Sequence, residues 1–476
     1  MDSRIKFGTG GFRGIIGDDF NKENLQLIAQ ALSNIIIRQN NNALPVIIGY
    51  DNRFLSDIAA KWMSESFAGN GIKVLLFDYA VPTPAVMFSA KQKGNGYGIM
   101  ITASHNPYLF NGVKVFYKNG IDADVQFTSV LEKEIGLVKD INVIAYSQAK
   151  QTGIISGFDD IDDYLLNIKR FISEDIKNNN LKILYDNMCG TGICGLKPLL
   201  NYYEIKKVDY INENRDAFFN FNVPNPSELV LQKLKEKLVK ENYDFAIATD
   251  SDGDRLGVLD EKGNFINNND ILGVLYYYLV KYKGMKGDVV KNCSTSVMID
   301  KIAEKLGFKC HEVDVGFKNI SSKMLEIDAL IGGESSGGLT VRNYIMGKDS
   351  VFSAMLFIEM VIKMQKPVSA IIREVHQFAE YDCYTHEESI EFNNEKIWGL
   401  LQKNNPFDKN LKKSECFNNN IKYYLSGGWA LLRMSGTEPV LRIVSESKTL
   451  AEAEQNVSKL KNFIEGKIHE LQRKSN

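Results

Sequence analysis

The stretch Pro45-Val46-Ile47-Ile48-Gly49-Tyr50-Asp51 reads as a buried strand that runs into a polar loop. Residues 21–38 before it read as an amphipathic helix, with Leu25, Ile28, Ala29, Leu32, Ile35 and Ile36 on one face. Ser56 after it is placed to cap a second helix that turns Ala59, Met63 and Phe67 inward. Helix, buried strand and helix in that order mark α/β architecture. The same passage from apolar strand to polar loop returns at Ile183-Leu184-Tyr185-Asp186-Asn187 and at Asp288-Val289-Val290-Lys291-Asn292. These segments are expected to open related α/β units, although no residue-level repeat links them. Residues 159–177 look like a helical connector, and Asn267-Asn268-Asn269 reads as a solvated turn. From about Tyr381 the pattern changes to short strands, an Asn-rich loop at Asn418-Asn419-Asn420 and a closing helix over about 450–471. That change predicts a smaller α+β domain at the C-terminal end.

A chain of 476 residues is too long for one ordinary core, so three or four domains are expected. The net charge of -2 supplies no global field toward nucleic acid or anionic membrane. An anionic substrate would have to be held by local arginines. The longest apolar run, Ile271 to Val280, is about half of the roughly 20 residues that a membrane span needs. The first residues, Met1-Asp2-Ser3-Arg4-Ile5-Lys6, carry no apolar signal-peptide core, so a cytoplasmic protein is expected. Six scattered cysteines form no Cys-x-x-Cys pair and read as reduced thiols.

The chemistry is concentrated in a few segments. Thr102-Ala103-Ser104-His105-Asn106-Pro107 follows the strand-like run Gly98-Ile99-Met100-Ile101 and places a serine hydroxyl in a tight polar loop. Asn-Pro closes that loop, because the residue before proline is pushed out of helical geometry. His105 is adjacent, and Lys114 follows within ten residues. A nucleophilic oxygen needs such a proton carrier and such a cation. Taken by itself, Lys114 reads as a solvated strand lysine. Asp250-Ser251-Asp252-Gly253-Asp254-Arg255 sets three carboxylates at alternate positions, which repel unless a cation relieves them. Hard oxygen ligands suit Mg²⁺ or Ca²⁺. An EF-hand is rejected, because Arg255 stands where its glycine belongs and the flanks read as strands. Few ligands from a short loop leave coordination open for a phosphate.

Gly332-Gly333-Glu334-Ser335-Ser336-Gly337-Gly338 lacks a cation, and Glu334 with Ser336 suits neutral sugar hydroxyls. Residues 433–442 supply Arg433 and Arg442 around Ser435, Gly436 and Thr437, a set suited to phosphate. Arg13 lies in the pliable segment Phe7-Gly8-Thr9-Gly10-Gly11-Phe12-Arg13-Gly14. Gly190-Thr191-Gly192-Ile193-Cys194-Gly195 matches the dinucleotide-binding glycine pattern, with Asp209 near the expected acidic position. Asp209 falls inside its strand rather than at its end, so a tight strand-to-helix turn is the better reading.

Together these motifs resemble the α-D-phosphohexomutase family, in the family's order from Phe7 to Arg442. The resemblance implies three related α/β domains with mixed sheets and a smaller C-terminal α+β domain around a central cleft. The boundaries expected are 1–157, 158–262, 263–378 and 379–476. It implies that Ser104 carries a phosphoryl group and completes an Mg²⁺ site with Asp250, Asp252 and Asp254. Arg13, His105 and Lys114 would act beside the transferring group, with Lys114 as acid/base. Arg255, Gly316, Lys318, Glu334 and Ser336 would bind substrate. Arg433, Ser435, Gly436, Thr437 and Arg442 would grip the phosphate that stays on the sugar.

The implied activity interconverts glucose 1-phosphate and glucose 6-phosphate, with hexose 1,6-bisphosphate as intermediate and activator. The partner is then a small sugar phosphate, with no nucleic acid and no membrane, on a monomer or dimer. Glu334-Ser335-Ser336-Gly337-Gly338 and the aromatic Phe317 stand where dual-specificity phosphomannomutases carry histidines, which favours glucose phosphates. Gly347-Lys348-Asp349-Ser350 departs from the family's usual Lys-Asp-Gly. The alternatives are a phosphomannomutase or phosphoglucosamine mutase, a nucleotide-binding oxidoreductase, and a sugar-phosphate sensor without catalysis.

Overall fold

The computed structural model describes the backbone of residues 5–8, 10–94, 96–391, 395–407, 410–417, 420–434 and 440–475. Val46–Tyr50 is a fully buried strand at the middle of the first sheet. It pairs in parallel with Val74–Phe77 on one side and Gly98–Ile101 on the other. Gly98–Ile101 then pairs antiparallel with Phe110–Tyr117.

The second sheet repeats this order. Ile183–Asp186 lies between parallel partners Val208–Ile211 and Phe245–Thr249, and the latter pairs antiparallel with Leu256–Leu259. The third does so again, with Val289–Asn292 between Cys310–Val313 and Ile331–Glu334, and Gly338–Val341 antiparallel beyond. The relation between the units is therefore one of topology, which residue identity did not display. The last sheet, spanning 384–447, is wholly antiparallel. The long helix Leu450–Ser475 packs against it through Val457, Leu460 and Ile464.

The first helix is Lys22–Arg38, with the Asn21 side chain accepting from the Asn24 N–H at 2.9 Å. The helix Ser56–Gly69 differs from expectation, because Ser56 does not cap it. Its hydroxyl donates instead to Asp51 Oδ1 at 2.9 Å, joining the Arg53 N–H on that buried carboxylate oxygen. Asn267 likewise is more than a solvated turn residue: it caps Asn268–Lys281, accepting from the Asp270 N–H. The apolar run 271–280 is the buried body of that helix. Among the described residues, no helix is long and apolar enough to cross a membrane.

Asp349 ties two units together. It caps the helix Ser350–Met364 and accepts from Tyr344 Oη at 2.6 Å and Tyr164 Oη at 2.9 Å. Burial pushes its carboxyl up to about 6, against the tyrosine and backbone donors that hold it down. The folded state thus keeps a proton that the unfolded chain releases near its ordinary value. The stability this contributes is complete below about pH 4 and is lost as pH rises through about 6. Asp349→Asn, which cannot ionise, should therefore gain on the parent protein by about 3 kcal/mol between about pH 4 and pH 7. Paired urea titrations across that range check it; parallel stability profiles would remove Asp349 as the cause.

Candidate active site

In each α/β unit the third parallel strand ends in one of the chemical loops. Gly98–Ile101 runs into the Ser104 segment, Phe245–Thr249 into the aspartate segment, and Ile331–Glu334 into the glycine-rich segment. Ligands of open α/β sheets gather at such carboxyl ends. The loops face a cleft of about 580 Å³ that also receives Arg13, Arg433 and Arg442.

Ser104 forms the floor. It is 2% exposed, and its Oγ donates to Asp250 Oδ2 at 3.1 Å. Its φ is +50°, a left-handed conformation that costs a non-glycine residue on the order of 1 kcal/mol. The strain is offset by fixed partners: the Ser104 N–H donates to Thr102 Oγ1 at 2.8 Å, and Ser251 Oγ donates to the Ser104 carbonyl. His105 Nδ1 lies 3.4 Å from Ser104 Oγ. Burial, then Arg255, Arg13 and Lys348, pushes that imidazole down to about 2, so it is neutral here. Arg13 donates to Asn106 Oδ1, and burial beside Arg255 pushes it down to about 10, still a cation.

Asp250, Asp252 and Asp254 are buried, each with a carboxylate oxygen within 4.8 Å of the others'. Lys114 is buried against them instead of solvated. Its Nζ donates to Asp252 Oδ2 at 2.6 Å and Asp254 Oδ2 at 2.8 Å. Burial would lower the lysine, but the two carboxylates hold it above its ordinary value. Asp254 is held well down, against burial, by Lys114, Lys348 and Arg255. Asp250 is driven well up by burial and by its two neighbours. Oδ1 of Asp252 and Oδ1 of Asp254 are buried without a hydrogen-bond partner among the described residues. Orphaned carboxylate oxygens beside a strongly repelled third carboxyl are a good fit for a hard divalent cation. The cation would take those oxygens, Asp250 and Ser104 Oγ.

Across the cleft, Glu334 Oε1 accepts from Ser336 Oγ at 2.7 Å, and Ser335 Oγ lies 2.9 Å from Ser294 Oγ. Arg433 and Arg442 sit directly opposite each other on paired strands. Burial and then Arg442 push the Arg433 guanidinium down. Like charges so placed favour an anion between them. Ser435, Gly436 and Thr437 lie outside the described residues. Gly316 lines the cleft at φ +116°, beside Phe317. Lys318 is buried next to the cleft-lining Phe317, and burial lowers its ammonium against the raising charges of Asp122, Asp124 and Asp314.

Sequence reading missed Lys348, Thr83 and Arg53. Lys348 Nζ lies 3.2 Å from Asp254 Oδ2 and 3.9 Å from Glu334 Oε1, so it spans two of the loops. Its signal was the departure at 347–350. Thr83 Oγ1 donates to Asp252 Oδ2 at 2.6 Å, from a separate helix.

The glycines of 190–195 approach the aspartate loop closely. A Cβ on Gly190 would meet the Asp250 carbonyl at 2.6 Å, and one on Gly192 would meet Thr249 Oγ1 at 2.5 Å. These glycines let the turn pack closely against the aspartate loop.

Models of the phosphoglucomutase/phosphomannomutase domains match in series. Alpha/beta/alpha domain I covers residues 4–139, domain II 162–263, domain III 267–378 and the C-terminal domain 393–462. The chain belongs to the phosphoglucomutase/phosphomannomutase family. It is a phosphohexomutase, an isomerase of hexose phosphates. It is 28% identical over 451 residues to a phosphoglucomutase/phosphomannomutase of Thermococcus kodakarensis, covering 94% of this chain and 96% of that protein. It is also 28% identical over 469 residues to a phosphoglucosamine mutase of Campylobacter hominis, covering 96% and 99%. A family structure from Burkholderia thailandensis superposes with a TM-score of 0.84 at 20% identity, over 98% of each chain, which speaks to the fold alone. In this phosphohexomutase the mixed sheets of the three α/β units and the antiparallel C-terminal sheet make the family's four-part architecture.

Proposed function

We propose that the chain interconverts glucose 1-phosphate and glucose 6-phosphate, with Ser104 as the phosphoryl carrier and Mg²⁺ held by Asp250, Asp252 and Asp254. The observation that carries this reading is Ser104 Oγ at the cleft floor, 3.1 Å from Asp250 Oδ2. The metal, when bound, neutralises charge on the transferring group. The residues do the remainder. Phosphoserine 104 gives its phosphoryl group to a free sugar hydroxyl, making glucose 1,6-bisphosphate. Lys114, held as an ammonium by Asp252 and Asp254, can give a proton but not take one, so the neutral His105 is the group placed to take the hydroxyl proton, and Arg13 with Arg255 steadies the equatorial oxygens. Glu334 and Ser336 read the sugar hydroxyls, with Gly316 beside them. Arg433 and Arg442, with Ser435, Gly436 and Thr437, grip the other phosphate. The bisphosphate then turns by half a revolution, and the serine recovers a phosphoryl group from the other end. The division into four domains at 157/158, 262/263 and 378/379 belongs to the same proposal; the four separate sheets support the number of domains, while Phe158 pairs in the first sheet and Phe265–Ile266 in the second.

Glucose is favoured because Phe317, which lines the cleft, and Gly338 stand at the sequence positions where dual-specificity phosphomannomutases carry histidines. Parallel assays with the 1-phosphates of glucose, mannose and glucosamine should give the highest kcat/KM for glucose, by about tenfold or more. A dominant rate with glucosamine 1-phosphate would overturn the choice of sugar while leaving the mutase intact.

A further inference from the structure

Arg53 lies outside the cleft lining, yet it is 0% exposed and directly beneath the acceptor loop. Its guanidinium is surrounded by main-chain carbonyls of one short segment. Nη1 donates to the carbonyls of Pro107 at 2.9 Å and Phe110 at 3.0 Å. Nη2 donates to those of Ser104 and Asn106. Asp51 Oδ2, 3.4 Å from Arg53 Nε, compensates the charge, and the Phe219 ring of the second unit covers the guanidinium at 4.9 Å. Asp51 Oδ2 also accepts from Thr102 Oγ1 at 2.6 Å, and Thr102 Oγ1 accepts from the Ser104 N–H. Both main-chain groups of the strained serine are thus tied to a single buried network.

We infer that Arg53 is the positioning residue for Ser104. A rigid planar fork can bind four converging carbonyls at once; an ammonium of the same charge has three donors around one point and cannot span them. Without the fork, the left-handed serine relaxes toward an ordinary conformation. Its Oγ then leaves the line between Asp250 and the substrate. A displacement of about 1 Å in such a geometry costs on the order of 100-fold in rate. Arg53 touches neither substrate nor reacting atoms, so the loss falls on the chemical step and not on ground-state binding.

This inference rests on the phosphoserine reading of Ser104. The test uses the full chain, Arg53→Lys, with whichever hexose 1-phosphate the parent protein turns over best. Arg53→Lys keeps the charge and should lower kcat about 100-fold with KM within about threefold. After priming with glucose 1,6-bisphosphate, phosphate should appear on Ser104 correspondingly slowly. Parental kcat in folded Arg53→Lys, or a loss carried by KM, overturns the positioning role. If Arg53→Lys does not fold, Thr102→Val decides. It removes only the acceptor of the Ser104 N–H and the donor to Asp51, and should lower kcat about tenfold at unchanged KM. An unchanged kcat there overturns the inference. A parent protein that never takes phosphate on Ser104 defeats the functional reading itself, independently of either variant.

Discussion

Ser104→Ala should abolish turnover of hexose phosphates while the protein stays folded. The hydroxyl lies in the cleft floor, where the proposed route needs its carrier, and among the described residues its Oγ to Asp250 Oδ2 contact is the single side-chain hydrogen bond that alanine removes at the metal loop. Losing one buried hydrogen bond costs about 1 kcal/mol of stability. Losing the carrier removes the covalent route entirely, and other enzymes deprived of their nucleophile fall by about 10⁶-fold. The left-handed backbone at φ +50° is equally open to alanine and serine, so no new strain enters. The measurement is steady-state turnover with intact mass before and after priming with glucose 1,6-bisphosphate. Phosphate on the parent Ser104 and none on the variant is expected. Turnover of the variant within about 100-fold of the parent would rule out the phosphoserine route.

Asp252→Asn should cost on the order of 10²–10³ in rate and move the Mg²⁺ requirement to higher concentration. The side chain holds two partners as well as its unpaired oxygen: Thr83 Oγ1 at 2.6 Å and Lys114 Nζ at 2.6 Å. Asparagine keeps the size but removes the charge. Lys114 is then left in a dry site against Asp254 alone, and breaking one arm of a buried ion pair costs about 3–5 kcal/mol. Stability should therefore fall along with activity, and saturating Mg²⁺ should recover part of the rate but not the stability of the metal-free protein. A metal titration identical to the parent's would take Asp252 out of the site.

What could be read along the chain was local. The strand Val46–Tyr50, the Ser104 loop and the alternating aspartates each declare themselves within a few residues, through burial pattern, a proline stop or repelling charge. What could not be read depended on contacts far apart in sequence. Lys114 meets Asp252 across 138 residues, Thr83 meets Asp252 across 169, and Arg53 meets the Ser104 carbonyl across 51. A strand lysine with no visible partner reads as solvated, and only the packed units reveal two carboxylates within reach. Ser56 shows the same limit at short range. A helix-starting serine has a ready local role, yet Asp51, fixed in a buried network with Thr102 and Arg53, claims its hydroxyl. The repeat of the α/β units showed in the sequence only as a recurring passage from apolar strand to polar loop, because topology constrains hydrogen-bonded order and leaves side chains free to diverge.

The third strand of each unit turns straight back through its antiparallel partner, as Gly98–Ile101 does into Phe110–Tyr117 and Ile331–Glu334 into Gly338–Val341. Each chemical loop is therefore pegged at both ends by a hydrogen-bonded ladder. On the proposed route, the carrier, the charge-neutralising station and the hydroxyl reader would be three fixed posts around a turntable. With posts that cannot trade places, the cargo has to revolve. Processivity then becomes a contest of clocks: the bisphosphate must complete its turn in less time than it needs to escape. On that proposed route, priming bisphosphate added from solution would rephosphorylate the serine left bare by turns that lose that race.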